Sequence, residues 1–108
     1  METKSSLSEP FIPVEQIDYA AGSVVSKTIV KNPSGNITLF AFDQGEGLSE
    51  HSSPHEAFVQ VLDGKAEITI GGKKHIVPAG QCILMPSNVP HALKALEQFK
   101  MMLVMIRN

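Results

Sequence analysis

Residues 57–77 read AFVQVLDGKAEITIGGKKHIV, short apolar runs separated by Asp63-Gly64 and Gly71-Gly72. Within them Glu67-Ile68-Thr69-Ile70 alternates polar and apolar side chains, the period of two that a half-buried strand requires. Asp63-Gly64 and Gly71-Gly72 tolerate the positive φ of two-residue turns, so each predicts a hairpin. The same rhythm extends in both directions. Apolar runs at 14–19, 24–30, 37–42, 57–62, 66–70, 75–77, 82–85 and 99–106 are cut by Gly, Pro, Asn and Asp, at the spacing of about 8–12 residues expected of an all-β chain. No window of about twelve residues carries a helical stripe, and residues 92–99 admit at most a turn of helix, too short to nucleate by itself. The expectation is an all-β domain of eight or more strands. A short chain removes that many strand edges most simply by closing into a barrel or two-sheet jelly roll.

A length of 108 residues predicts one domain. Residues 1–10, METKSSLSEP, read as a flexible N-terminal tail, and residues 11–108 as the barrel domain. Nine Lys and Arg against eleven Asp and Glu leave a net charge of -2, which argues against a nucleic-acid partner held by phosphate neutralisation. The single cysteine, Cys82, excludes an intrachain disulfide framework and a multi-cysteine zinc site. It lies in the apolar run 81–85 and reads as a buried small hydrophobe. No apolar run approaches the length of a membrane span, and the polar start is unlike a signal peptide. A cytoplasmic protein without membrane or nucleic-acid partners is expected. The apolar early strands 24–30 and 37–42 would offer sheet edges to a second copy, so a homodimer is expected as well.

Four histidines, His51, His55, His75 and His91, are the natural place to look for chemistry. Gly45, His51, Ser53, Ala57 and Gly64 follow the spacing G-x5-H-x-H-x3-E-x6-G, and Gly80, Pro86, Asn88, His91 and Ala95 follow G-x5-P-x-G-x2-H-x3-N. Over roughly residues 37–106 the chain therefore resembles the cupin family. The resemblance implies a small single-domain cupin, a jelly-roll β-barrel with its functional site at the mouth. In that family the two histidines and the glutamate of the first motif and the histidine of the second bind a divalent metal. Here His51 and His91 stand at their positions, but Ser53 replaces the second histidine and Ala57 the glutamate. Asn88 at the second motif's glycine position is a mild change, because asparagine tolerates a left-handed turn.

Two imidazoles fall short of the three protein ligands that Zn, Fe or Ni usually take. His55 follows Pro54 in an expected loop, where strand alternation does not bind it, so His51, His55 and His91 form the candidate site for a divalent transition metal (Zn, Fe, Ni, Mn or Cu). His75 reads as an exposed or packing residue. Met85, Met101, Met102 and Met105 read as adaptable core filler, although thioethers are soft ligands where copper(I) is available. Alternation would line the lumen with Ala57, Val59 and Val61 and place Ser53, His51, His55 and His91 toward the mouth, with Phe40 or Phe42 as an aromatic wall. A mostly apolar pocket with few polar groups is the usual form of a small-molecule site. No carboxylate is expected inside it, so proton transfer there would fall to histidine. No Ser-His-Asp arrangement, phosphate loop or zinc-protease helix is legible. Three functions fit these residues: a protein binding a small molecule in the lumen, a metal-dependent oxygenase or isomerase using His51, His55 and His91, and a structural homodimer with a vestigial pocket.

Overall fold

A computed structural model describes residues 7–107. They form strands β1 (Val24–Asn32), β2 (Gly35–Phe42), β3 (Gly47–His51), β4 (Glu56–Asp63) and β5 (Lys65–Ile70). Strands β6 (Lys73–Pro78), β7 (Cys82–Met85), β8 (His91–Lys94) and β9 (Phe99–Ile106) follow. One sheet runs in the order β1-β2-β9-β4-β7 and the other β3-β8-β5-β6, every pairing antiparallel. The chain is a two-sheet jelly roll, as its alternation implies. No helix among the described residues is long and apolar enough to cross a membrane.

Alternation decides what lies between the sheets. In β4, Ala57, Val59 and Val61 are buried, whereas Glu56 and Phe58 are exposed on the opposite face. Phe42 and Phe99, opposed in register on β2 and β9, stack with ring centroids 4.5 Å apart and no solvent exposure. Val59, Val61, Ala66, Ile68 and Val77 complete this inner core. On the outer face of the first sheet, Ile17, Ile29, Leu39 and Ala41 form a second cluster. The N-terminal segment covers it. Tyr19 Oη donates to Asp63 Oδ2 at 2.6 Å, and Lys100 Nζ donates to the Val14 carbonyl at 2.9 Å. Of the tail expected over residues 1–10, residues 1–6 lie outside those described, and Leu7 packs against the outer cluster.

Several local expectations need correction. Residues 14–19 do not form a strand: Pro13–Gln16 is a 3-10 turn, opened by the proline. Strands β3 and β8 carry no run that marks them in sequence. In GLSEH only Leu48 is apolar and even it is half-buried, while HALK has helix-forming residues held extended between β3 and β5. Strand pairing on both sides of His91–Lys94 outweighs the helical preference there, and residues 95–98 form a bend rather than a helical turn. Cys82 is exposed, not buried: Ile83 faces the core opposite Val59, so alternation turns Cys82 and Leu84 outward.

Gly71-Gly72 does join a hairpin, β5 to β6, with φ of 56° and 82°. Asp63-Gly64 does not. It is a corner at which the chain leaves the first sheet for the second, since β4 and β5 are unpaired. Gly64 has φ 72°, and a Cβ there would collide with the Gln98 carbonyl oxygen and press on Phe99. Gly64→Ala therefore combines left-handed strain with a backbone clash. We expect a loss of at least about 2 kcal/mol, read as a lower urea midpoint. Unchanged stability would mean that the corner is slack.

Candidate functional site

At one end of the barrel the sheets part around a cavity of about 210 Å³ lined by Phe40, Leu48, His51, Ser53, Ala57, Met85, His91, Leu93, Met101, Leu103 and Met105. Two irregularities of the strands shape it. In β3, Leu48 is opposite Leu93 and His51 opposite His91, so two residues, Ser49 and Glu50, face the single Ala92. This bulge puts both Leu48 and His51 on the inner face, where strict alternation would separate them. In the β7–β8 connection, Asn88 has φ 65°, the left-handed conformation an asparagine accepts. Its N–H donates to the Ser53 carbonyl at 2.7 Å, tying the two histidine-bearing segments together at the mouth.

His51 and His91, 40 residues apart in sequence, bring their ring centroids to 4.4 Å, inclined at 70°. Each ring points its Nδ1 at a carbonyl two residues earlier: His51 at Ser49 O, 2.8 Å, and His91 at Val89 O, 3.2 Å. A carbonyl only accepts, so each Nδ1 is the donor and each neutral ring keeps its free lone pair on Nε2. His51 stands exposed at the rim, and His91 is 6% exposed. Burial, with the neighbouring His51 ring, pulls the His91 pKa below its ordinary value against the opposing pull of the Val89 carbonyl.

The unfolded chain protonates His91 near 6.5, while the fold resists until lower pH. This contribution is fully present above the unfolded value and is lost as pH falls through the folded one. Stability should decline from about pH 7 toward pH 5, and His91→Gln should flatten that part of the curve. Urea midpoints across this range check it; a slope identical in His91→Gln removes His91 as its source.

Not every expected residue arrives. His55 is half-buried in the loop before β4, its N–H donating to Ser53 Oγ at 3.1 Å, and it does not line the cavity. The three-histidine cluster is not assembled, and among the described residues no group of three His, Cys, Asp or Glu could share a cation. With Ser53 capping its own turn and Ala57 carrying a methyl, the chain does not present the donor set that the resemblance attaches to a divalent metal. Val59, Val61 and Phe42 are buried in the solid core and do not line the cavity, whereas Phe40 does. His75 is half-buried opposite Ile68. The residues sequence reasoning missed are Leu48, Leu93 and Leu103 and the thioethers of Met85, Met101 and Met105. Alternation through 99–106 could have placed Met101, Leu103 and Met105 on one face. A larger depression of about 340 Å³, bordered by Glu46, Glu67, Thr69 and Lys94, lies open on the second sheet and shares Leu48 and Leu93 with the lumen, but neither histidine lines it.

Comparison with known proteins agrees with this architecture. A family model described as a cupin domain matches residues 38–107. No match is found among curated proteins. A conserved protein of unknown function from Streptococcus pyogenes is similar at 37% identity, TM-score 0.88, over 94% of this chain and 89% of its own. A cupin 2 conserved barrel domain protein from Leptotrichia buccalis is similar at 38% identity, TM-score 0.84, over 87% of this chain. This chain spans 46% of that protein's length. A cupin superfamily protein from Desulfitobacterium hafniense shares the fold at 24% identity, TM-score 0.88, over 93% of this chain and 92% of its own.

Proposed function

Because the chain belongs to the cupin domain family, and its lumen is lined by apolar side chains apart from His51, His91 and Ser53, we propose that it binds a small molecule inside the barrel. The observation that carries this reading is the cavity itself: about 210 Å³, walled by Phe40, leucines and methionines, with His51 and His91 at one side. An apolar cavity of about 150 Å³ is enough to take up benzene, so this one has room for a single ring or a short branched chain bearing one polar group. Both Nε2 atoms accept when neutral. The preferred ligand is therefore largely apolar and carries a hydroxyl or other donor, since an unpaired acceptor beside a bound apolar group is costly. Binding without catalysis is favoured over the metal-dependent oxygenase or isomerase, because the described residues at the mouth include no carboxylate and no third clustered histidine. The exposed Cys82 thiol suits a reducing, cytoplasmic compartment.

Phenol and toluene test the reading as probes. Phenol should shift the ring resonances of His51 and His91 saturably, and toluene should bind at least about fivefold more weakly, the cost of roughly one hydrogen bond. Absence of saturable binding by either probe overturns it.

A second reading, association of two copies, has its own observation. Leu84, Phe58 and Val104 are neighbours in register across β7, β4 and β9, with Ile106 one step further along β9. Phe58, Leu84 and Ile106 are 40%, 45% and 50% exposed on this outer face. The edge of β1 is blunted by Lys27, Lys31 and a bulge at Ile29, so pairing through that strand is disfavoured. We propose a homodimer packed through the β7-β4-β9 face. Light scattering should give twice the monomer mass, and Phe58→Lys should return a folded monomer. A wild-type monomer at micromolar concentration rejects the dimer.

A further inference from the structure

The geometry points to a soft-donor site for a monovalent copper ion in the lumen, with Nε2 of His51 and His91 and the thioethers of Met85 and Met105 as its donors. This rests on the lumen being open to solutes, as in the binding reading above. It departs from a divalent site because the family pattern's carboxylate is replaced by the Ala57 methyl and thioethers stand around the gap.

The register shows how. Ala57, at the position of the family pattern's glutamate, is opposite Met105 on β9 and opposite Met85 on β7. Directly opposed residues point to the same face with Cβ atoms about 5 Å apart, so two methionines flank the space above the Ala57 methyl. Both line the cavity that holds His51 and His91. Nδ1 of each ring is engaged by a carbonyl, which fixes the tautomer with the lone pair on Nε2, the arrangement by which proteins ready an imidazole for a metal. Thioether and imidazole together select copper(I) over harder divalent ions. Charge works in the same direction. Ion desolvation rises with the square of the charge, and with no carboxylate among the described residues that line the lumen a singly charged ion meets a far smaller barrier than a doubly charged one. Methionine also reaches: its unbranched chain adapts to an ion where a leucine would only fill space.

The exposed Cys82 thiol would bind copper(I) on its own account, so the test uses the Cys82→Ser chain. Copper(I) is titrated anaerobically against a chromogenic chelator, with ¹³C-methyl methionine spectra recorded in parallel. We expect one copper(I) per chain, with the Met85 and Met105 methyls shifting while Met102, packed on the outer face, stays still. Replacing both Met85 and Met105 by leucine, a near volume-conserving change, should weaken copper(I) by about 100-fold and zinc(II) by less than about threefold. Spectra of the leucine variant verify its fold. No stoichiometric copper(I) in the Cys82→Ser chain overturns the proposal, as does undiminished affinity in a folded leucine variant. Phenol binding to the same sample separates the outcomes: if phenol enters and copper(I) does not, the small-molecule reading stands alone, and if neither enters, both fall.

Discussion

Ser53→His combined with Ala57→Glu should convert the lumen into a four-ligand site for zinc or nickel. His51 and His91 already stand 4.4 Å apart between ring centroids, and Ala57 lines the same cavity. The backbone at residue 53 is held by the Asn88 N–H, a bond that a new side chain does not disturb. Without metal the variant should be less stable than the wild type, because a glutamate enters an apolar lumen unpaired. With metal the order reverses. At a free concentration about 100-fold above the dissociation constant, linkage adds about 2.7 kcal/mol, and a domain of this size gains roughly 10–20 °C in Tm from that. The wild type, with two of the four ligands, should show little of this shift. Thermal melts with and without zinc decide it, and a folded double variant whose Tm ignores zinc and nickel would mean that positions 53 and 57 do not converge on the histidine pair.

Phe99→Ala should be the most damaging single substitution in the inner core. Phe99 has no exposure, and its ring lies nearly parallel to Phe42, at 11°. Truncation removes a buried ring, leaves a cavity between the sheets and breaks an aromatic pair. The expected loss is about 3–5 kcal/mol, against a total stability of the order of 5–15 kcal/mol. Leu96→Ala is the control, because Leu96 is 52% exposed; it should change stability by less than about 0.5 kcal/mol. Urea unfolding compares the two, and a loss below about 1 kcal/mol at Phe99 would show that the sheets close over the gap.

The strands legible in the sequence are those that bury one face along most of their length. In β4 and β5 the alternation of Ala57, Val59, Val61, Ala66 and Ile68 reads directly as sheet, and the two motif spacings identify the family. What escapes sequence reading is whatever depends on a partner. Gly47–His51 looks like loop because its role is to edge the second sheet, and its bulge, which turns Leu48 inward, exists only against β8. Asp63-Gly64 has hairpin chemistry, yet the strands beside it prefer other partners. The site divides in the same way. Motif spacing pairs His51 with His91, whereas placing His55 requires the loop geometry set by Ser53 Oγ and the Asn88 contact. Period two tells which way Val59, Val61 and Phe42 point, but not how deep along the barrel axis the solid core begins.

Strand β9 sits between β2 and β4 in the first sheet, although it is the last strand in the described chain. On a ribosome this order has a consequence. Until Phe99–Ile106 has emerged, β2 and β4 have nothing between them, and the stack of Phe42 on Phe99 cannot form. Synthesis at about 5–20 residues per second leaves the earlier strands waiting for several seconds with unpaired edges and exposed apolar faces. Their protection during that interval must come from outside the fold, so the yield of soluble protein should be sensitive to chaperone supply. A nascent chain stalled before Phe99 should stay as protease-sensitive as an unfolded one, however stable the finished barrel is.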